Sequence, residues 1–237
     1  QRSYRDATCL PESLVERRTL ANSRCEQAWR VHRGENNWQA IAPLLEDVVA
    51  LAREEAAARA AVSGMSLYDS LLDSYEPGMT CAQLDPLFAE LKAFLPGLLD
   101  ATIERQQQQP AQLPEGPFTI DEQRALGLAM MRTLGFDFEH GRLDVSHHPF
   151  CGGVPSDVRI TTRYNTEGFT QALMGVIHET GHALYEQGLP AEWQSQPVGQ
   201  ALSTAVHESQ SLLMEMQACR SQEFLHYLTP HLQGSFA

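Results

Sequence analysis

Two histidines four residues apart, the first followed directly by a glutamate, form the run His178-Glu179-Thr180-Gly181-His182, the part of this chain best equipped for chemistry. On a helix, positions four apart are rotated by only about 40°, so both imidazoles stand on one face, one turn apart, and can bind one ion. Imidazole nitrogen is a good donor for zinc, at about 2.0–2.1 Å. Glu179 lies about 100° further round, which aims its carboxylate beside such an ion, where it can take a proton from water. The pattern predicts a zinc site of the His-Glu-x-x-His type and hydrolysis of a peptide bond by metal-activated water. Glu179 is then the general base, which passes its proton on to the leaving amine.

Such a pair needs a helix to carry it. Leu173, Ile177, Thr180 and Leu184 recur at helical spacing and give an anchoring face apart from the histidines. Asn165 or Thr166 can cap the start, and Gly188 with Pro190 can end it. A catalytic zinc takes a third protein ligand and keeps one position for water. Glu208 is the leading candidate, within a second amphipathic stretch from Ala201 to Glu215, where Leu202, Val206 (or Ala205), Leu213 and Met216 predict an apolar stripe. The linker holding Gly188, Pro190, Pro197 and Gly199 is short enough to set the two helices side by side. His207, Glu186, Glu192 and Glu215 offer the same donor chemistry, and spacing does not choose among them. His207 is the chief rival.

The remaining pattern supplies a scaffold. Helices are predicted from Pro11 to about His32, from Trp38 through the alanine-rich segment to Ala61, and onward from Thr80, where Thr80 and Gln83 have capping-box spacing. Thr119 and Glu122 repeat that spacing ahead of a helix that closes near Leu134 at Gly135. The period then becomes two: Val158, Ile160, Thr162 and Tyr164 alternate with Asp157, Arg159, Thr161 and Arg163, which predicts a half-exposed strand. Phe136 to Val145 is its expected partner, with Pro149, Gly152, Gly153 and Pro155 in the connection. The polar face with Arg159 and Arg163 is either a wall of a substrate cleft or the seat of an Asp157–Arg159 ion pair. His147 and His148 beside Pro149 predict a rigid turn.

The fold class expected is mainly α, a zincin-like helical metallopeptidase with a small β-sheet next to the site helix. It forms one unit over residues 1–237, helical over 1–135, with the sheet and zinc helices over 136–237. The formal charge of −13, from 17 Lys plus Arg against 30 Asp plus Glu, repels phosphate backbones, so no nucleic-acid partner is expected. There is no run of 18 apolar residues and no signal-type start, so neither a membrane span nor a secretory signal is expected. Cys9, Cys25, Cys81, Cys151 and Cys219 are odd in number and scattered, which suits free thiols in a cytoplasm.

Four motifs occur in a telling order: His148-Pro149-Phe150, Asp157-Val158-Arg159-Ile160-Thr161, His178-Glu179-Thr180-Gly181-His182 and His207-Glu208-Ser209-Gln210. In this the sequence resembles the carboxypeptidase Taq family of thermostable zinc metallocarboxypeptidases, as does the tract from Tyr68 to Thr80. The resemblance implies that Glu208 is the third zinc ligand, that Glu179 is catalytic and that His207 has a supporting or structural role. It also implies zinc or cobalt as the working ion, C-terminal cleavage of peptide substrates, and a homodimer. An endopeptidase shares the same metal core, and a noncatalytic helical protein held by its metal, with His207 as a fourth ligand, is the alternative from another class. Two later family motifs, Ile/Val-Arg-x-x-Ala-Asp and Gly-x-x-Gln-Asp-x-His-Trp, do not occur. The chain is therefore expected to be an internal piece, with the arginine for the substrate carboxylate and the oxyanion-stabilising residues outside it.

Overall fold

The computed structural model describes residues 1–108 and 114–236. The chain divides into two compact units, Gln1–Leu99 and Asp100–Ala237. The first is helical: α1 (Arg2–Thr8), α2 (Glu12–His32), α3 (Trp38–Ser63) and α4 (Leu67–Leu72). The fixed φ of Pro11 leads into α2, and the Asn37 side chain accepts from the Ala40 amide at 3.3 Å to cap α3. Pro43 sits in the second turn of α3, where its missing N–H costs one intrahelical hydrogen bond, and Gly64 at φ 74° ends the helix. Leu14, Ile41, Leu51 and Ala56 are buried in this unit. Glu55 is buried with them and is charge-paired on two sides, by Arg18 at 2.5 Å and Arg59 at 2.8 Å. The helix α5 (Cys81–Gln108) runs out of the unit. Gln83 reaches back to the Thr80 amide at its head, as the spacing predicts, but Leu87, Phe88, Leu91 and Leu95 are exposed.

The second unit carries the candidate site. The helix α6 (Ile120–Leu134) opens with the expected capping box, in which Thr119 and Glu122 satisfy each other's backbone amides, and closes at Gly135 with φ 98°. Three strands follow: β1 (Gly141–Val145), β2 (Phe150–Val154) and β3 (Asp157–Thr162). They lie in the order β1-β3-β2, with β1 parallel and β2 antiparallel to β3. The alternation read from the sequence holds, since Val158, Ile160 and Thr162 are buried and Arg159 is exposed. The strand β2 falls where only a connection was expected. Gly153 turns the chain at φ 105°, and a side chain there would meet the Asp157 carbonyl at 2.1 Å, so the glycine permits the tight return into β3. From the expected partner Phe136–Val145, only Gly141–Val145 is strand, and Phe138–His140 forms a 3-10 turn.

After the sheet come α7 (Thr170–Gln187), two short 3-10 turns, α8 (Thr204–Leu212), a π-helical turn at Leu213–Ala218, and α9 (Gln222–Ser235). The start of α7 is later than the caps proposed for it. The Asn165 side chain instead accepts from the Glu167 amide and the Thr166 carbonyl from the Phe118 amide, so these residues build the turn before the helix. Two apolar clusters pack on neighbouring faces of α7. One joins Leu173 and Ile177 to Phe118, Leu126, Met130, Phe169, Cys219 and Leu228. The other joins Val176 and Ala183 to Met131, Phe136, Leu143, Val158 and Ile160. A helix that is apolar on more than one face belongs inside, and α7 is the central rod of this unit. Among the described residues no helix is long and apolar enough to cross a membrane.

Candidate metal centre

The helix α7 presents His178 and His182 on a common face, with ring centroids 5.0 Å apart. The helix α8 brings Glu208 to them: Glu208 Oε2 lies 3.1 Å from His182 Nε2 and 3.8 Å from His178 Nε2. One ligand atom from each of the three residues falls within 4.8 Å of the others. Two imidazole nitrogens and a carboxylate oxygen at this spacing form a donor set suited to a divalent cation such as zinc.

A glycine sets the spacing. A Cβ on Gly181 would lie 2.5 Å from Ser211 Cα and 2.6 Å from the Gln210 carbonyl oxygen, so α7 and α8 approach closely because this residue has no side chain. Ser211, fully buried, is the residue it meets. The apolar stripe expected on the second helix does not make this contact. Leu202, Val206, Leu213 and Met216 are all exposed, and the close crossing is made by Gly181 and Ser211 instead.

The rivals for the third ligand sit on the far side of the imidazoles. Glu215 Oε2 is 3.0 Å from His178 Nδ1, and the Arg220 guanidinium holds the other Glu215 oxygen. His207 Nδ1 is 2.6 Å from His182 Nδ1, and its Nε2 is 2.8 Å from Glu186 Oε1. Glu192 lies in the exposed 3-10 turn Ala191–Trp193. Arg220 was not foreseen, since it stands five residues past Glu215 beyond the π-helical turn, where no helical periodicity points to it. Arg159 pairs with Asp157 at 2.7 Å on the exposed face of β3, the ion pair weighed from the sequence.

Glu179 is 7% exposed and lines an open cleft of about 680 Å³ together with His178, His148, Pro149, Met174 and Arg220. Burial pushes its carboxyl above the usual carboxylate range, against the pull of His178 and His148. Burial, reinforced by the neighbouring rings of His207 and His178, holds the His182 imidazole below its usual value. That favours the neutral ring, the form that binds metal. The five cysteines are free and none belongs to the donor set.

Comparison with known proteins agrees with this geometry. The family described as Carboxypeptidase Taq (M32) metallopeptidase matches residues 1–237. Thermostable carboxypeptidase 1 of Thermus thermophilus is 40% identical over 100% of this chain and 48% of its own length. Carboxypeptidase 1 of Bacillus subtilis is 33% identical over 98% of this chain and 45% of its own. Among solved structures, metallocarboxypeptidase 1 of Trypanosoma cruzi superposes with a TM-score of 0.89 at 44% identity, covering 99% of this chain and 48% of that one. An M32 carboxypeptidase from Deinococcus radiodurans gives 0.83 at 34%, covering 99% and 47%. The chain thus spans about half the length of the relatives it matches. With its donor set on two adjoining helices and its full length matched, the chain belongs to the carboxypeptidase Taq (M32) metallopeptidase family.

Proposed function

We propose that this chain carries the metal-binding and proton-transfer part of a zinc metallocarboxypeptidase acting on peptides. The observation that carries the reading is the convergence of His178, His182 and Glu208 beside the buried carboxylate of Glu179. His178 and His182 hold the ion through ring nitrogen and Glu208 through a carboxylate oxygen. When bound, zinc, or cobalt in its place, supplies positive charge that lowers the pKa of a neighbouring water and draws electron density from the carbonyl under attack. Glu179 takes the proton of the attacking water on its carboxylate and delivers it to the nitrogen of the leaving amine. The cleft beside it, with Met174 and Pro149 among its walls, receives the peptide. Removal of the C-terminal residue, rather than an internal cut, is carried over from the relatives, whose names describe carboxypeptidases. The homodimer implied by the resemblance is part of the same proposal.

A closed structural metal site would need a fourth protein ligand. His207 has both ring nitrogens engaged, with His182 and Glu186, which weighs against that role. The test is zinc-loaded full-length protein, of which this chain is the metal-binding part, incubated with a defined peptide, with products read by mass spectrometry. A ladder shortening from the C-terminus supports the proposal, internal cuts point to an endopeptidase, and zinc-replete protein that yields no products refutes it. Glu179→Gln should keep zinc affinity while turnover falls on the order of 10²–10⁴-fold.

A further inference from the structure

We propose that Glu215 and His207 are the positioning residues of the metal centre: each engages Nδ1 of one ligand imidazole and thereby fixes Nε2 of His178 and of His182 as the donor atoms. This rests on the ligand assignment above. A neutral imidazole has one N–H and one lone pair, and its partners decide which nitrogen holds which. At His178 the partner of Nδ1 is a carboxylate, Glu215 Oε2 at 3.0 Å. A carboxylate only accepts, so the proton sits on Nδ1 and the lone pair on Nε2. Arg220, bound to the other oxygen of Glu215, holds that carboxylate in place.

At His182 the same result needs one more link, because the partner of Nδ1 is another ring. His207 Nε2 lies 2.8 Å from Glu186 Oε1 and therefore carries a proton. The neutral His207 ring is then left with a lone pair on Nδ1, 2.6 Å from His182 Nδ1. The proton between the two rings belongs to His182, whose own lone pair falls on Nε2. Two separate chains, Arg220–Glu215–His178 and Glu186–His207–His182, thus direct both Nε2 lone pairs to one spot, beside Glu208 Oε2 at 3.8 and 3.1 Å. Residues that read in sequence as rival ligands act here through the ligands. Such partners fix ring orientation and raise donor strength.

The test uses the 237-residue chain loaded with zinc. Histidine ¹⁵N–¹H NMR should show Nδ1–H on His178 and His182 and a proton on Nε2 alone of His207. Ligation through Nδ1 at either ligand, or a proton on Nδ1 of His207, overturns the inference without any variant having to fold. In chelator competition, Glu215→Ala and His207→Phe should each weaken zinc binding by about 10–100-fold. His207→Asn, whose amide oxygen can accept the same Nδ1–H, should recover most of that loss. Wild-type affinity in folded Glu215→Ala and His207→Phe also overturns it. His182→Ala separates the two levels: if it leaves zinc binding unchanged, the ligand assignment itself fails. If it abolishes binding while the other two variants bind as wild type, only the positioning role fails.

Discussion

Replacing Gly181 by alanine adds one methyl group at a close approach between α7 and α8. The new Cβ would lie 2.5 Å from Ser211 Cα, against an ordinary contact of at least 3.4 Å, so one helix must yield by 3.4 − 2.5 = 0.9 Å. Both atoms facing it, Ser211 Cα and the Gln210 carbonyl oxygen, are backbone, so no side chain can rotate away. Overpacking of this kind costs about 1–3 kcal/mol. Alanine returns up to about 1 kcal/mol through its better helix propensity. Stability therefore changes by only about 0–2 kcal/mol net, which is too little to decide the matter. Metal affinity decides it, because a site tolerates about ±0.2 Å in its ligand distances, several times less than the forced shift. Zinc binding by Gly181→Ala should fall about 10–100-fold or more in chelator competition, the range that disturbed ligand geometry produces. A folded variant with wild-type zinc affinity would show that the spacing of α7 and α8 does not hold Glu208 against the histidines.

Two further outcomes follow from other parts of the fold. Thr119→Ala removes the cap of α6 and should cost about 0.5–2 kcal/mol, lowering Tm by about 2–4 °C per kcal/mol in a thermal melt, and an unchanged melt would count against the capping box. Burial, with Glu179 and Glu186 adding negative charge, pushes the Cys151 thiol up to about 12, and burial alone pushes Cys219 up to about 11. Because the thiolate is the reactive form, Cys151 at pH 8 should alkylate roughly a thousandfold more slowly in the native chain than in the denatured one, and its rate should rise about tenfold per pH unit above that. Peptide mapping of iodoacetamide adducts reads this, and equal rates in both states would contradict it.

The placement of the histidine pair was the most legible part of the sequence, because a helix turns spacing directly into direction. His178 and His182 needed only the helical period to be placed side by side. The capping box at Thr119 was equally local. What escaped the sequence depends on contacts between distant residues. The strand β2 was hidden because Gly152 and Gly153 read as a turn, whereas pairing with β3 makes Phe150–Val154 a strand. The stripe at Leu202, Val206, Leu213 and Met216 was read as the packing face of the second helix, but the contact with α7 runs through Gly181 and Ser211, residues with almost no apolar signal. Glu215 and His207 could not be told from ligands by spacing. A ligand and a ligand's partner have the same donor chemistry and differ only in which ring nitrogen they face.

The position of α7 against two apolar clusters says what places the histidine pair. Phe118 and Ile160 belong to the clusters on two neighbouring faces of the rod, so close apolar packing fixes its roll and tilt without drawing on a polar group. On the proposed reading, an incoming ion would meet imidazoles that close packing has already placed, and would not have to fold the protein around itself. Chelation should therefore leave the architecture standing. A flaw deep in either flank would blur the geometry of the pair without touching a single polar atom.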